Sequence, residues 1–323
     1  MLKVNCIFIA LLGIIFFQSC SSVRSVALNT SVDLFEKGSL QMETESEWDF
    51  FEAGALANIK MLEGLLYNDP ENEKLLTLVI KGYSGLGFGV YETLYITDKY
   101  KDRANSQAKA NAISAYTRAV EYGRVYMGEK GIDSSFLLEN VLTPRKIVEK
   151  LKSELDEDDV EAIFYTAQSW MSLINLQRTD LSLVAQLPAV KSLFDWSCEL
   201  KPDIQNGACS LFYGLYELSR PKMLGGNPKK GREILSDYMN KNPYNMLAKI
   251  TYFEYVLIAG GEEEKYKSFK NHLRSDFNTF EFLNNLGKLK SDNPFLKKPT
   301  LNLLNAISLK RYKLLLENEK EFF

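Results

Sequence analysis

Apolar residues recur along this chain at spacings of three and four for most of its length. Trp48, Phe51, Ala55, Ile59, Leu62 and Leu66 make one such stripe, the pattern of a helix that buries a single face. Asn68-Asp69-Pro70 ends it, because a proline ring removes a helical hydrogen bond and clashes with the preceding turn. Lys201-Pro202 and Asn242-Pro243 are similar stops. The period predicts helices over 44–67, 71–97, 103–127, 144–153, 157–177, 182–200, 205–219, 228–241, 246–260, 263–276 and 299–319. Sustained Val/Ile alternation is lacking, and no Asn-Gly or Asp-Gly hairpin between alternating runs is expected. The expected class is all-α.

The three proline stops suggest repeats of the tetratricopeptide (TPR) kind, in which proline closes the second helix of each unit. Eight and five positions before them stand Leu62 and Leu65, Phe194 and Ser197, and Leu235 and Tyr238. The spacing is irregular: Pro202 and Pro243 lie 41 residues apart, against a period of roughly 34, with the insert 219–228 accounting for most of the excess. Degenerate TPR-like hairpins stacked in a compact solenoid-type array are expected over 34–323, since each amphipathic pair needs a neighbour to cover its face. The acidic run Glu154-Leu155-Asp156-Glu157-Asp158-Asp159 separates two sets of helices. It is read as a solvated helix start capped by Asp156, with acids favourable to the helix dipole. A hinge and a carboxylate metal site are the alternatives.

The first residues follow a different rule. Lys3 precedes the apolar run Val4 to Phe17, 14 residues long. That is short for a membrane helix and right for a signal-peptide core. Phe17-Gln18-Ser19-Cys20 then places a small residue before a cysteine, resembling a bacterial lipoprotein signal in which that cysteine is acylated. The expectation is a signal peptide over 1–19, a lipid anchor on Cys20 and a flexible tether over 20–33. Phe17 stands where such signals usually carry leucine, and an ordinary signal peptide or an uncleaved anchor is the alternative. Two or three acyl chains make a stable anchor, at about 0.8 kcal/mol per buried CH2.

Composition removes several functions. With 39 basic and 42 acidic residues, the chain offers no broadly basic face for nucleic acid. Its single histidine, His272, leaves little room for zinc sites, Ser-His triads or Cys-His pairs. It sits in a basic amphipathic helix, read as having no Cys, His or acid at ligand spacing. No catalytic residue, metal or cofactor is expected. Cys198 and Cys209 remain to the folded body; they can pair in an oxidising compartment, but two buried free thiols are the favoured reading.

Gly82-Tyr83-Ser84-Gly85-Leu86-Gly87-Phe88-Gly89 lacks the Gly-Lys-Ser/Thr ending and preceding strand of a phosphate loop. Gly82, Gly85 and Gly89 instead share one helical face, fitting a tightly packed or bent helix beside a cavity. Gly225-Gly226-Asn227-Pro228 reads as a turn, with Asn227 capping the next helix and Pro228 in its first turn. Aromatic residues are abundant, and tyrosines cluster within helices: Tyr83 with Tyr91, Tyr213 with Tyr216, and Tyr252 with Tyr255. A tyrosine joins an apolar body to a polar tip and suits a wet cavity or a partner face, although aromatic stripes at helical spacing also build plain core.

Tyr213-Gly214 and the stretch Ser219-Arg220-Pro221-Lys222-Met223-Leu224-Gly225-Gly226-Asn227-Pro228-Lys229-Lys230 resemble the signature of the T-component (TatT) family of TPR-protein-associated TRAP transporters. Tyr67-Asn68-Asp69-Pro70-Glu71-Asn72 with Gly82-Tyr83, and Leu303-Leu304-Asn305-Ala306-Ile307 with Lys310, agree with it in order. Gly231 departs from the usual alanine, and the acidic segment 154–159 has no match in length. The resemblance implies a lipid-anchored periplasmic homotrimer of degenerate TPR-like helices. It implies that each protomer has a ligand-accessible pore and pairs with a substrate-binding P-component serving an ion-driven permease. The implied cargo is a small hydrophobic or organic-acid ligand, and no catalytic residue is carried over. Tyr83, Phe88, Tyr91, Tyr213, Tyr216, Arg220, Lys222 and Tyr252 are the candidate ligand or partner surface. For Arg220 and Lys222 the alternative is a helix end facing solvent, and for the whole chain it is an envelope scaffold binding a protein or peptide without cargo of its own.

Overall fold

The computed structural model describes residues 32–220, 222, 225–285, 295 and 297–323. The expected signal peptide, Cys20, most of the expected tether, and Pro221, Met223 and Leu224 of the motif lie outside them. The protein is all-α, about 80% helical, with no strand among the described residues. A helix over residues 32–43, α1, precedes the first one predicted and begins inside the expected tether. Val32 anchors it at 1% exposure.

The next helices are α2 (Trp48–Leu66), α3 (Glu73–Leu86), α4 (Glu92–Tyr100), α5 (Gln107–Glu129), α6 (Ser134–Glu139), α7 (Pro144–Glu154) and α8 (Val160–Leu176). Then follow α9 (Leu181–Val184), α10 (Leu187–Leu200), α11 (Ile204–Ser219), α12 (Pro228–Lys241), α13 (Met246–Tyr252), α14 (Glu263–Asn285) and α15 (Asn302–Glu317). Side-chain caps fix several starts. Asn72 accepts from the Leu75 N–H and Ser106 from that of Lys109. Asn227 accepts from the Lys230 N–H with Pro228 in the first turn, as the sequence predicts. The acidic run behaves differently from expectation. Asp159, not Asp156, precedes α8, because its carboxylate is drawn inward by the Tyr126 hydroxyl and the Asp156 N–H.

Two helical bodies result. α3 packs on α2, α5 and α8, and α10 packs on α7 and α8. Around them lies one core, with Trp170, Trp196 and Phe164 buried. α11 packs on α12, α12 on α13 and α13 on α15, enclosing a second core that holds Phe253, Tyr266 and Phe277. α15 returns between the two, with Ile307 in the first core and Tyr312 and Leu315 in the second.

Two predicted helices are interrupted by π turns, Gly87–Tyr91 and Phe253–Ile258. Each inserts extra backbone and turns the following residues about the axis. Glycine is required at the first. A Cβ on Gly87 would lie 2.6 Å from the Tyr116 ring, and one on Gly89 would lie 2.7 Å from Phe51 and 2.9 Å from Ile307. Gly85 differs from its expected role, since a Cβ there would meet nothing within 4 Å.

Cys198 and Cys209 are bonded, correcting the reading of two free thiols. Their pairing is made by a non-helical turn within the first residues of α11. Gln205, Asn206 and Gly207 all adopt positive φ (49°, 58° and 86°), which reverses the chain and brings the two Cα atoms to 5.9 Å. The apolar period does not announce this turn, but Asn206-Gly207, a pair that readily takes positive φ, does, and the sequence reading overlooked it.

Candidate functional site

Two chambers lie between the helical bodies. The larger, of about 910 Å³, has mainly apolar walls, among them Phe51, Ile59, Leu62, Phe194, Phe212 and Ile307. α1 contributes Phe35 and Met42 to it, and Gly85 faces it. Lys81 stands on the same wall, held 2.8 Å from Glu43 and 2.7 Å from Glu161. The smaller chamber, of about 760 Å³, is far more polar and is lined by Lys99, Tyr100, Lys109, Arg232 and Glu254. Both volumes fall in the range of small-molecule sites, roughly 300–1,000 Å³. The chambers share Glu92, Asn175, Arg178, Ser219, Tyr255 and Arg311. These six residues form a waist where an apolar space meets a charged one.

The first π turn and α15 build the waist together. Arg311 Nη2 donates to the Phe88 carbonyl at 2.8 Å and Nε to Thr93 Oγ1 at 3.0 Å. Its guanidinium stacks over the Phe88 ring at 4.2 Å. Trp48 Nε1 takes the neighbouring Gly89 carbonyl at 2.8 Å. The widened turn therefore presents its carbonyls to side chains from two other helices. Glu92, the residue after that turn, lies 3.8 Å from Arg311 through Oε2. Its Oε1 is buried without a hydrogen bond, as is the Tyr116 hydroxyl nearby.

The two buried carboxylates of this region titrate in opposite directions. Burial pushes Glu92 above its ordinary range, and the Arg311 charge only partly offsets that. Burial also works to raise Glu254, but the charges of Lys99 and Arg311 outweigh it and hold it below the ordinary range. Lys99, 2.7 Å from Glu254, is held charged by that carboxylate despite its own burial. The Glu254 charge and burial push the Tyr255 hydroxyl up to about 12. Two cationic side chains, Lys99 and Arg311, thus stand close to two carboxylates, of which only one is firmly paired.

Three of the eight candidate residues line the larger chamber: Phe88, Tyr216 and Arg220. Arg220 stacks on Tyr216 at 4.2 Å, donates to its hydroxyl at 2.9 Å, and donates to the Gly225 carbonyl at 2.7 Å. It thereby fastens the glycine turn to the chamber wall. Lys222 is exposed. Tyr83 and Tyr213 line neither chamber, because their polar tips are taken by carboxylates: Tyr83 donates to Glu63 at 2.7 Å and Tyr213 to Asp195 at 2.9 Å. Tyr91 packs on core, and Tyr252 packs on Phe269 at 5.7 Å.

Sequence reasoning missed Glu92 and Arg311, whereas Tyr255 belongs to a tyrosine cluster it had marked as suited to a cavity. Arg311 carried a usable signal, as a charged residue at 6% exposure within the apolar face of α15. His272 is on the surface, and the sequence reading overlooked Asp276 one turn on, 3.7 Å from its Nε2; that carboxylate is engaged by Lys249. Among the described residues, no group of three or more His, Cys, Asp or Glu side chains is arranged to hold a metal ion.

A family model described as TRAP transporter T-component matches residues 44–323. No curated protein matches the chain.

Proposed function

The chain belongs to the TRAP transporter T-component family, and from that premise we propose that it receives a small ligand in its paired chambers and holds the substrate-binding P-component that exchanges it. A role in a TRAP transport system follows from the family itself. The observation that carries the finer reading is the waist: two ligand-sized chambers share six residues, which supports passage between them. A protein that only scaffolded a partner would have no need of such a space. The mainly apolar wall of the larger chamber favours a small hydrophobic or organic-acid cargo.

The same reading extends to the rest of the molecule. The body is a degenerate stack of TPR-like helical hairpins assembling as a homotrimer, and Cys20 carries acyl chains that tether it to a bacterial membrane from the periplasmic side. No described helix is long and apolar enough to cross a membrane, which is compatible with attachment through lipid alone. Affinity capture of the full-length chain from its own cells tests the partnership. Enrichment of a TRAP substrate-binding protein is the expected result; repeated capture without one contradicts the proposal. Mass spectrometry of the N-terminal peptide tests the anchor, with a Cys20→Ala variant expected to lose the acyl mass.

A further inference from the structure

The waist holds an ionic arrangement that is incomplete by its own chemistry. Arg311, buried at 6% exposure, commits Nε to Thr93 and Nη2 to the Phe88 carbonyl, leaving Nη1 uncommitted at a boundary between two cavities. Neither partner carries charge. The nearest carboxylate to Arg311, Glu92, stands at 3.8 Å, beyond hydrogen-bond reach, and its Oε1 makes no hydrogen bond of ordinary geometry, with the Tyr116 hydroxyl the polar group beside it. The second carboxylate, Glu254, is occupied by Lys99 at 2.7 Å. A guanidinium normally receives a carboxylate bidentately, with two parallel short bonds. Here the place for such a partner borders the mainly apolar chamber.

We propose that the waist is a counter-ion exchange site: the carboxylate of an amphipathic ligand, with its apolar chain in the larger chamber, replaces Glu92 opposite Arg311, and Glu92 takes up a proton. The proposal rests on the reading of the chambers as a ligand path. The step balances as ligand carboxylate plus one proton from solvent, bound together, with no bond to carbon made or broken. A neutral ligand gains nothing from Arg311, and a ligand cation meets Arg311, Lys99 and Arg178.

The groups facing Glu92 come from every neighbouring element. They are Arg311 on α15, Tyr116 on α5, Glu254 and Tyr255 on the second π turn, and Lys99 on its own helix; Arg178, beyond the end of α8, lines the same space but is exposed. Tyr116 and Tyr255 are both held neutral well above physiological pH. Lys99 and Glu254 hold each other charged. Glu92 is thus the group whose charge is least supported, and burial already favours its acid form. It is a specificity and positioning residue, and Arg311 is the ligand contact.

Titration calorimetry of the full-length chain in lipid nanodiscs, against empty nanodiscs, tests the exchange with hexanoate, octanoate and decanoate, and with octanol as the neutral probe. Repeating the octanoate titration in buffers of different ionisation enthalpy counts the protons bound. One proton per octanoate is expected above the pKa of Glu92, with affinity falling about tenfold per pH unit there. Each methylene added should tighten binding about fourfold. Glu92→Gln should bind octanoate with no proton uptake and no pH slope, and more tightly than the parent at pH 8. Arg311→Gln should lose at least about tenfold in octanoate affinity while keeping octanol; Glu92→Gln and the proton count still decide the matter if that variant fails to fold. A purely structural Glu92 would shift the melting temperature and leave the proton count unchanged. Octanoate binding without proton uptake, or octanol binding without octanoate binding, overturns the exchange while the chambers stand as a ligand path. Binding of neither probe overturns both.

Discussion

Gly85 and Gly89 lie four residues apart, and replacing each by alanine should move stability in opposite directions. Glycine in a helix interior is about 1 kcal/mol less favourable than alanine. At Gly85 a Cβ meets nothing within 4 Å because the position opens on the larger chamber, so the whole gain is kept. Gly85→Ala should stabilise by about 1 kcal/mol, or about 2 °C in melting temperature for a chain of this length. At Gly89 the new Cβ would stand 2.7 Å from Phe51 and 2.9 Å from Ile307. Both neighbours belong to the core, at 7% and 3% exposure, and overpacking of this kind costs roughly 1–3 kcal/mol. Gly89 also lies in the π turn, where the α-helical gain is smaller, so Gly89→Ala should lose about 1–2 kcal/mol net. Thermal unfolding followed by circular dichroism reads both. A destabilised Gly85→Ala, or a stabilised Gly89→Ala, would refute the placement of the chamber against this helix. Gly85→Phe extends the test to function, because it fills the chamber from a position without a backbone clash; it should fold and lose ligand binding.

The disulfide spans 11 residues, and loop-closure entropy for a span of that size corresponds to about 3 kcal/mol. Replacing Cys198 and Cys209 by serine should lower the melting temperature by roughly 6 °C, and reductant should do the same to the parent but not to the variant. Breaking the Lys99–Glu254 pair should be more damaging from the lysine side, since Glu254 is 5% exposed and Lys99 32%; Lys99→Met should melt below Glu254→Gln. Glu254 has a depressed pKa in the fold, so its contribution is present above the unfolded value and lost as pH falls through the folded one. Glu254→Gln should accordingly lack that part of the parent's acid sensitivity. Glu92 has the opposite sign: its contribution is complete below the unfolded value and disappears as pH rises through the folded one. Glu92→Gln should therefore melt above the parent at pH 8 and level with it in acid.

Most helices were legible because a 3.6-residue apolar period survives in the sequence, as in α2 and α8. The π turns were not, since their cause lies in three dimensions. Gly87 and Gly89 are read as glycine by Tyr116, Phe51 and Ile307, residues distant along the chain. α1 was missed because Leu34 and Leu40 are exposed, at 67% and 56%, and blur its stripe. The short helix α6 offers too few turns for a period to register, and α9 reads as the start of one helix with α10. Within the site, Phe88, Tyr216 and Arg220 were reachable from aromatic clustering and from the glycine motif. Tyr83 and Tyr213 were chosen for the same polar tip, but Glu63 and Asp195 consume it inside the body. Glu92 looks like an ordinary helical charge in sequence, Arg311 is marked only by its place on the apolar face of α15, and the return of α15 between the two helical bodies brings them together.

Anomalous diffraction from crystals of the protein grown with 8-bromooctanoate measures the central claim most directly. Bromine in the larger chamber, among Phe51, Ile59 and Phe212, with the carboxylate against Arg311, is the predicted result. Bromine confined to the outer surface, with both chambers holding only water, would contradict it.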